Sequence, residues 1–506
     1  MHKIYLESTN GSCFTTLHKR ISSFKKEAFM LLMLGLVSSS GYSNEKLKND
    51  KVEVLVTSSD RKYDLKQFEI PLKNSSDPSA DITVDNNIQF QSIDGFGAAI
   101  TGSTSYNLLQ MDKGDRERFL KETFDPVSGY GHSYIRISIG CSDFSLSEYT
   151  LCDKPGLENF ALQEEELRYV IPVLKEILAI NPDIKIIGSP WTPPRWMKVN
   201  DLNELAPFMS WTSGQLNPKY YSDYGEYFVL WIKSFQDAGI PIYAVTPQNE
   251  PLNRKNSASL FMGWKEQLDF IKYSLGPKIQ SSGFNTKIYA FDHNYNYDNM
   301  EDQQSYPLNI YQDPAADMYL AGAAYHNYGG NKNELLKIHD ARPDKELIFT
   351  ETSIGTWNKG KDLSIRLIED MEQVGLGTIN NYSKAVIVWN LMLDSDRGPW
   401  REGGCKTCYG AVDIDRNDYK TITRNSHYYI LSHLSWVVKP GAVRVSSEFK
   451  GTPGIISSAF YNKDGSSALV LLNKEQKAQK ISVSDGNKKF AYQLPARSVV
   501  SFKWKS

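Results

Sequence analysis

Two carboxylates stand where a parallel barrel would place reactive groups. Glu250 follows the run Tyr243-Ala-Val-Thr-Pro-Gln-Asn, and Glu351 follows Leu347-Ile-Phe-Thr. Each closes a short apolar stretch that reads as a buried strand. In a barrel of parallel strands the chemistry lies at the C-terminal strand ends. Two carboxylates facing one bond can supply an acid and a nucleophile, the pair that glycoside hydrolysis with retention requires. Among 59 acidic residues a glutamate taken at random is a surface ion-pair partner. The strand-end setting is what separates these two.

The elements that must position them can be read from hydrophobic pattern. Eight strand-like segments run through the middle of the chain: Ile93–Ile100, Tyr134–Ile139, Ile184–Ser189, Tyr243–Thr246, Lys287–Phe291, Gly322–His326, Glu346–Thr350 and Ala385–Trp389. Their spacing leaves room for a helix and loops between neighbours, which predicts a (β/α)8 barrel. Glu164 to Ile180 carries apolar residues at Leu167, Val170, Ile171, Val173, Leu174, Ile177 and Leu178 and stops at Asn181-Pro182, a helix with its terminator. Tyr224 to Phe235 reads the same way. After about residue 430 the pattern changes to short strands, among them Ala442–Ser446, Ser467–Leu472 and Ser498–Phe502, with Asp464-Gly465 and Asp485-Gly486 at turns. These are too few for a sandwich of their own, so a strand or two from the N-terminal side, including Lys51–Val56, is expected to join them. The expected division is residues 1–43 as an export segment, 44–88 as N-terminal strands of the sandwich, 89–430 as the barrel and 431–506 as the sandwich.

Composition excludes some partners. A formal net charge of -2 does not supply the positive field that nucleic acid demands. Basic residues from Lys19 to Lys26, an apolar run from Phe29 to Val37 and Ser38-Ser-Ser-Gly41 form the pattern of a signal peptide. The run is too short to span a bilayer, which takes about 20 residues. An exported protein is expected (periplasmic, cell-surface or secreted), monomeric and without stable membrane insertion. Cys13 leaves with the signal, and Cys141, Cys152, Cys405 and Cys408 remain. Cys405-Lys-Thr-Cys408 reads as a loop staple or as free thiols before it reads as a redox or zinc motif, since no matching ligand pair is spaced to complete a metal site. Neither metal nor cofactor is expected. Aromatics at 12% fit a large core or a cleft lined by rings that stack on sugars.

Seven motifs occur in order, most of them at strand ends: Asp94-Gly-Phe-Gly-Ala-Ala-Ile-Thr-Gly102, Arg136 with Cys141-Ser-Asp143-Phe-Ser, Ser189-Pro-Trp191-Thr-Pro-Pro-Arg-Trp196-Met-Lys198, Gln248-Asn-Glu250-Pro, His326-Asn-Tyr328, Thr350-Glu351-Thr and Trp389-Asn390-Leu. Together they resemble the glucosylceramidase-like branch of glycoside hydrolase family 30, over nearly all of the chain after the signal. The resemblance implies a (β/α)8 barrel with an attached β-sandwich and hydrolysis of β-glycosides with retention. It implies Glu250 as acid/base and Glu351 as nucleophile. The charge of Glu351, together with burial, is expected to raise the Glu250 carboxyl and hold its proton.

The same resemblance places Arg136 against the nucleophile and Asp143 on the non-reducing sugar. The competing reading is an Arg136–Asp143 ion pair that braces the barrel mouth. Asn249 is expected on the sugar 2-hydroxyl, Trp191 and Trp389 as pocket walls, and Tyr328 on Glu351. His326 is open between a site role and a packed, satisfied ring. The expected partner is a β-glucan or β-glucoside. Within the family the pattern favours endo-β-1,6-glucan hydrolysis over glucosylceramide hydrolysis and over xylan-type cleavage. A glucan-binding protein without catalysis is the reading of another class, and the presence of both glutamates counts against it. The loops Asp394–Arg397 and Arg401–Gly404, at the mouth of the eighth strand, are expected to shape the cleft.

Overall fold

A computed structural model describes residues 51–76, 79–451 and 453–505. The expected export segment and Cys13 lie outside the described residues. Among the described residues no helix is long and apolar enough to cross a membrane.

Eight parallel strands close into a barrel. In chain order they are Gly95–Ala99, Tyr134–Ser138, Lys185–Ser189, Ala244–Val245, Lys287–Asn294, Leu320–His326, Glu346–Glu351 and Ser383–Val388, with the eighth paired back to the first. Each overlaps a segment expected from the sequence. The barrel lumen is filled by Tyr134, Ile187, Ala244, Tyr289, Ala324, Ile348, Ala385 and Ile387. Residues two further along a strand point to the same face. That step leads from Tyr134 to Arg136, from Ile187 to Ser189, from Ala244 to Thr246 and from Ile348 to Thr350. An apolar plug therefore gives way to a polar layer one step nearer the C-terminal ends, and the site is built on that layer.

The helix expected over 164–180 forms, with a π-turn at Glu166–Val170 leading into Ile171–Ile180. Leu167, expected on the buried stripe, is 58% exposed. The wider π-turn changes the angular phase of the helix, so a 3.6-residue period fitted across it misplaces one residue. The helix expected over Tyr224–Phe235 spans Tyr221–Asp237.

The second layer of structure is one ten-stranded sheet. It takes four N-terminal strands, Lys51–Ser58, Lys66–Pro71, Lys73–Asn74 and Ile82–Ser92, more than the one or two expected. Lys51–Ser58 pairs with Ser498–Lys505, so the two ends of the described chain lie side by side. The sheet folds over on itself. Phe490, on Lys488–Leu494, packs its ring on Phe502 and Trp504 of Ser498–Lys505, a strand far away in sheet order. Ser466–Asn473 is buried on both faces: Leu469 and Leu471 enter the sandwich core, while Ala468, Val470 and Leu472 join the core shared with the barrel.

The boundary expected at 430 cuts through a helix, Ser426–Val437, every residue of which is buried. A helix buried on all sides carries no amphipathic stripe, so periodicity does not announce it. The N-terminal boundary at 88 likewise falls inside Ile82–Ser92. Cys405 and Cys408 are joined by a disulfide, and Cys141 and Cys152 are buried free thiols.

Candidate active site

Arg136 is the centre of the polar layer. Its guanidinium is wholly buried, donates from Nη1 to Glu351 Oε2 at 2.5 Å, and donates from Nη2 to Asp292 Oδ2 at 2.8 Å and Asn249 Oδ1 at 2.7 Å. Burying a charge this deeply is tolerable only with paired counter-charges and hydrogen bonds. Asp292 supplies the second counter-charge. Its carboxylate also accepts from Ser189 Oγ (2.9 Å), Thr246 Oγ1 (2.7 Å), Thr350 Oγ1 (2.6 Å) and His326 Nε2 (3.0 Å). Burial works against its charge, but Arg136, His326 and these donors hold the carboxyl well below the ordinary aspartate range.

Asp292 was not among the residues singled out in the sequence. It enters the site through a register shift between Phe291 and His293, with φ of 73° at Phe291 and 72° at Asp292. A bulge of this kind re-aims a side chain that strict alternation would place elsewhere. The available signal was its position in Phe291-Asp-His-Asn294, polar residues directly after a barrel strand.

Glu250 has a φ of 45°, a left-handed backbone unusual for a residue with a side chain, and its N–H donates to the Asp292 carbonyl at 3.0 Å. Its Oε2 accepts from the amides of Asn253 (2.8 Å) and Asn256 (2.7 Å), and its Oε1 lies 3.5 Å from His326 Nδ1. Neither asparagine was expected in the site. One carboxylate oxygen from each of Glu250 and Glu351 and a ring nitrogen of His326 lie within 4.8 Å of one another. Retaining enzymes bring their carboxyl groups to about 5–5.5 Å, whereas inverting ones leave about 6.5–9.5 Å for water.

That trio is also the spacing of a cation site, which the sequence alone did not suggest. Three of its four carboxylate oxygens are already engaged, by Arg136, Tyr328 and the two amides, and the Arg136 cation adjoins them. These residues do not offer a metal a free, cation-poor set of ligands.

Tyr328 is 42% exposed by its ring, yet its hydroxyl turns inward, donating to Glu351 Oε1 at 2.9 Å beside Ser353 Oγ at 3.2 Å. Asn249 gives its oxygen to Arg136, and its amide nitrogen makes no hydrogen bond among the described residues, so it can meet a substrate hydroxyl. Trp191 and Trp389 stack on each other with centroids 5.0 Å apart, and Arg136 lies over both rings. At 2% exposure each, they form a floor under the guanidinium more than walls open to a sugar. The Arg136–Asp143 ion pair does not form. Asp143 is half-buried and its Oδ1 has no hydrogen-bond partner. Burial and the charge of Glu351 push its carboxyl up to about 7 against the pull of Arg401. Arg401 itself bonds Ser142 O, Glu148 and Ser257, tying the loop after the eighth strand to the second and fourth.

A model of the glycosyl hydrolase family 30 TIM-barrel domain matches residues 93–438, and one of the family's β-sandwich domain matches 441–502. The chain belongs to glycosyl hydrolase family 30. The solved structure of the endo-β-1,6-glucanase BT3312 is 63% identical, covers 90% of this chain and 100% of its own, and superposes with a TM-score of 0.88. An endo-1,6-β-D-glucanase of Aspergillus fumigatus is 28% identical over 93% of this chain and 98% of its own. The lysosomal acid glucosylceramidase of Mus musculus is 26% identical over 84% and 83%.

Within this family 30 site the protons are arranged otherwise than expected. Burial raises the Glu250 carboxyl, but the contact with His326, the fields of His293 and His326 and the Asn253 amide outweigh it and bring it down to about 2. Burial lowers the His326 ring, but Glu351, Asp292 and Glu250 outweigh that and lift it to about 9. Glu250 and His326 are thus driven in opposite directions, the carboxyl towards its ionised form and the ring towards its protonated form. The sequence could not show that two buried cations serve three buried acids. Burial pushes the Glu351 carboxyl up. The cations His326 and Arg136 pull it back, the charges of Glu250 and Asp292 push it further, and it settles above the ordinary glutamate.

A pH profile follows. If Glu351 is the nucleophile, activity is expected to fall on the acid side as it protonates, at a pH above that of a free glutamate. It is expected to fall on the alkaline side as the Glu250–His326 pair gives up its last transferable proton. In His326→Gln the pair is gone and Glu250 alone must hold the proton, so the alkaline limb of kcat/KM is expected to move down by about 2 units or more. An unmoved limb would remove His326 from the proton path.

Proposed function

We propose that this protein is a retaining endo-β-1,6-glucanase. The observation that carries the linkage is the 63% identity, along nine-tenths of the chain, to a solved endo-β-1,6-glucanase. In this reading Glu351 attacks the anomeric carbon while the bond to the glycosidic oxygen breaks and Glu250 delivers a proton to that oxygen. Water then attacks the glycosyl-enzyme, returns a proton to Glu250 and frees Glu351. The proton that Glu250 delivers is drawn from His326 as the bound sugar displaces water. Arg136 and Tyr328 disperse the charge of Glu351 and orient it. The Asn249 amide donates to the sugar 2-hydroxyl, and Asp143, with a carboxyl near 7, both donates to and accepts from sugar hydroxyls.

An open cleft supports cleavage within a chain. A polar cavity of about 560 Å³ adjoins Tyr328 and Ser353, with Trp357 on its rim and 53% exposed, which offers a ring to a sugar beyond the scissile bond. Export to the periplasm, cell surface or medium belongs to the same proposal and rests on the N-terminal sequence pattern.

The test is the product profile on purified β-1,6-glucan, with glucosylceramide and β-1,3-glucan beside it, and the anomer of the first product read by proton NMR. Short β-1,6 oligosaccharides born as β-anomers are expected. Glucose from the lipid alone would favour the glucosylceramidase reading that the 26% identity to the mouse enzyme keeps in view. First products born as α-anomers would rule out retention.

A further inference from the structure

A groove of about 700 Å³ opens at the edge of the sandwich. It lies within the range of about 300–1,000 Å³ typical of small-molecule sites. None of its lining residues comes from the barrel. It forms where the folded sheet leaves its two margins facing each other. Lys66–Pro71 is the edge strand on one side, and Lys488–Leu494, followed by the turn through Pro495 and Ala496, lies on the other.

Three aromatic rings line it. Phe68 and Tyr492 meet across the margin with centroids 6.1 Å apart, and Tyr63 lies beside them with Lys66 Nζ over its ring at 5.7 Å. All three rings are half-buried: the core holds one side and the other faces the groove. Between them stand polar groups without an internal partner. The Lys62 ammonium, the Gln493 amide and the hydroxyls of Tyr63 and Tyr492 make no hydrogen bond or ion pair with the described residues. Asp60 is different, because its carboxylate is engaged by Ser58 and the Lys62 backbone.

Flat apolar faces interleaved with uncommitted donors and acceptors suit a ligand with an apolar ring face and an equatorial rim of hydroxyls. The lining also carries Lys62 and Lys66 against Asp60 alone, so an anionic glycan is the rival ligand that the test has to exclude. An edge margin also lets a chain run past either end, which a closed pocket would forbid. We propose that this groove is a second, non-catalytic site that binds a neutral glucan chain and holds the enzyme on its polymer.

The ligand class rests on the glucanase reading, whereas the existence of a second site does not. Tethering through it would raise the local concentration of polymer at the cleft without altering turnover of a short soluble substrate.

The experiment uses full-length Glu351→Gln, which cannot turn substrate over, titrated calorimetrically with a β-1,6-gluco-oligosaccharide. Two binding events are expected. Tyr492→Ala or the surface pair Lys62→Ala/Gln493→Ala should remove one of them. In the otherwise wild-type enzyme the same changes should lower retention on insoluble β-1,6-glucan by about tenfold or more. Turnover of a short chromogenic β-glucoside should stay unchanged. The surface pair guards against misfolding, since neither side chain belongs to the core. A single binding event, or two that survive both variants, would overturn the proposal. So would a groove that takes only an anionic glycan such as heparin. If the wild type fails to cleave β-1,6-glucan, the glucanase reading falls, and the same titration with β-1,3- and β-1,4-linked oligosaccharides still decides the second site.

Discussion

Glu351→Ala is expected to lower kcat on β-1,6-glucan by on the order of 10⁴-fold or more if, as we propose, Glu351 is the nucleophile, since no second carboxylate could then form the covalent intermediate in its place. The loss by itself would not assign the role, because several changes in this site would stop turnover. The chemistry of rescue does. Removing the side chain opens the face from which Glu351 attacks. Azide added with a dinitrophenyl β-glucoside of gentiobiose should then attack that face directly and give the α-glycosyl azide. Glu250→Ala leaves the first step intact for so good a leaving group and should give the β-azide, through attack on the glycosyl-enzyme. Opposite anomers from the two variants would fix both roles. The same anomer from both, or the two reversed, would reject the assignment.

Arg136→Met should be the most damaging single change to the fold of the barrel mouth. The methionine fills much of the space over the stacked Trp191 and Trp389 but leaves Asp292 and Glu351 without their shared cation. Truncating one partner of a buried ion pair costs about 3–5 kcal/mol. The pH dependence has a definite sign. The Asp292 carboxyl is depressed in the folded enzyme, so the stability it contributes is present above its unfolded value and is lost as pH falls through the folded one. Without Arg136 that carboxyl rises, as does Glu351, and both take up protons sooner on acidification. The melting temperature of the variant should fall furthest below wild type at neutral pH, and the gap should narrow towards pH 5. A gap that stays constant with pH would mean that lost packing, and not the orphaned charges, sets the cost.

The parts of the molecule legible in the sequence are those governed by local pattern. Barrel strands buried on both faces read as apolar runs, and the residues that close such runs mark the mouth, which is how Glu250 and Glu351 come to notice; Arg136, inside its strand, and His326 come to notice through the family motifs. Asp292 escaped because a bulge, invisible to periodicity, turns it inward. Asn253 and Asn256 escaped because a loop folds back onto Glu250, and nothing local encodes that return. The opposed shifts of Glu250 and His326 escaped for another reason. They depend on how many buried cations face how many buried acids, a sum over four strands that no one motif contains. Helix Ser426–Val437 was blurred because uniform burial erases amphipathicity. Trp191 and Trp389 were placed correctly along the chain, but their mutual stacking is a property of two strand ends meeting.

The pairing of Lys51–Ser58 with Ser498–Lys505 sets a clock on biogenesis. The first of these strands emerges from the ribosome long before Ser498–Lys505, and until then it can pair only with Lys66–Pro71, which leaves its other edge open. Ser466–Asn473, buried from two sides, must likewise wait for both the barrel and the final strand. Pairings so distant along the chain are slow to form and leave edges open to aggregation in the interval. A chain cut before Ser498–Lys505 should therefore be insoluble, with two strand edges left open, even though every residue named in the candidate site has been made.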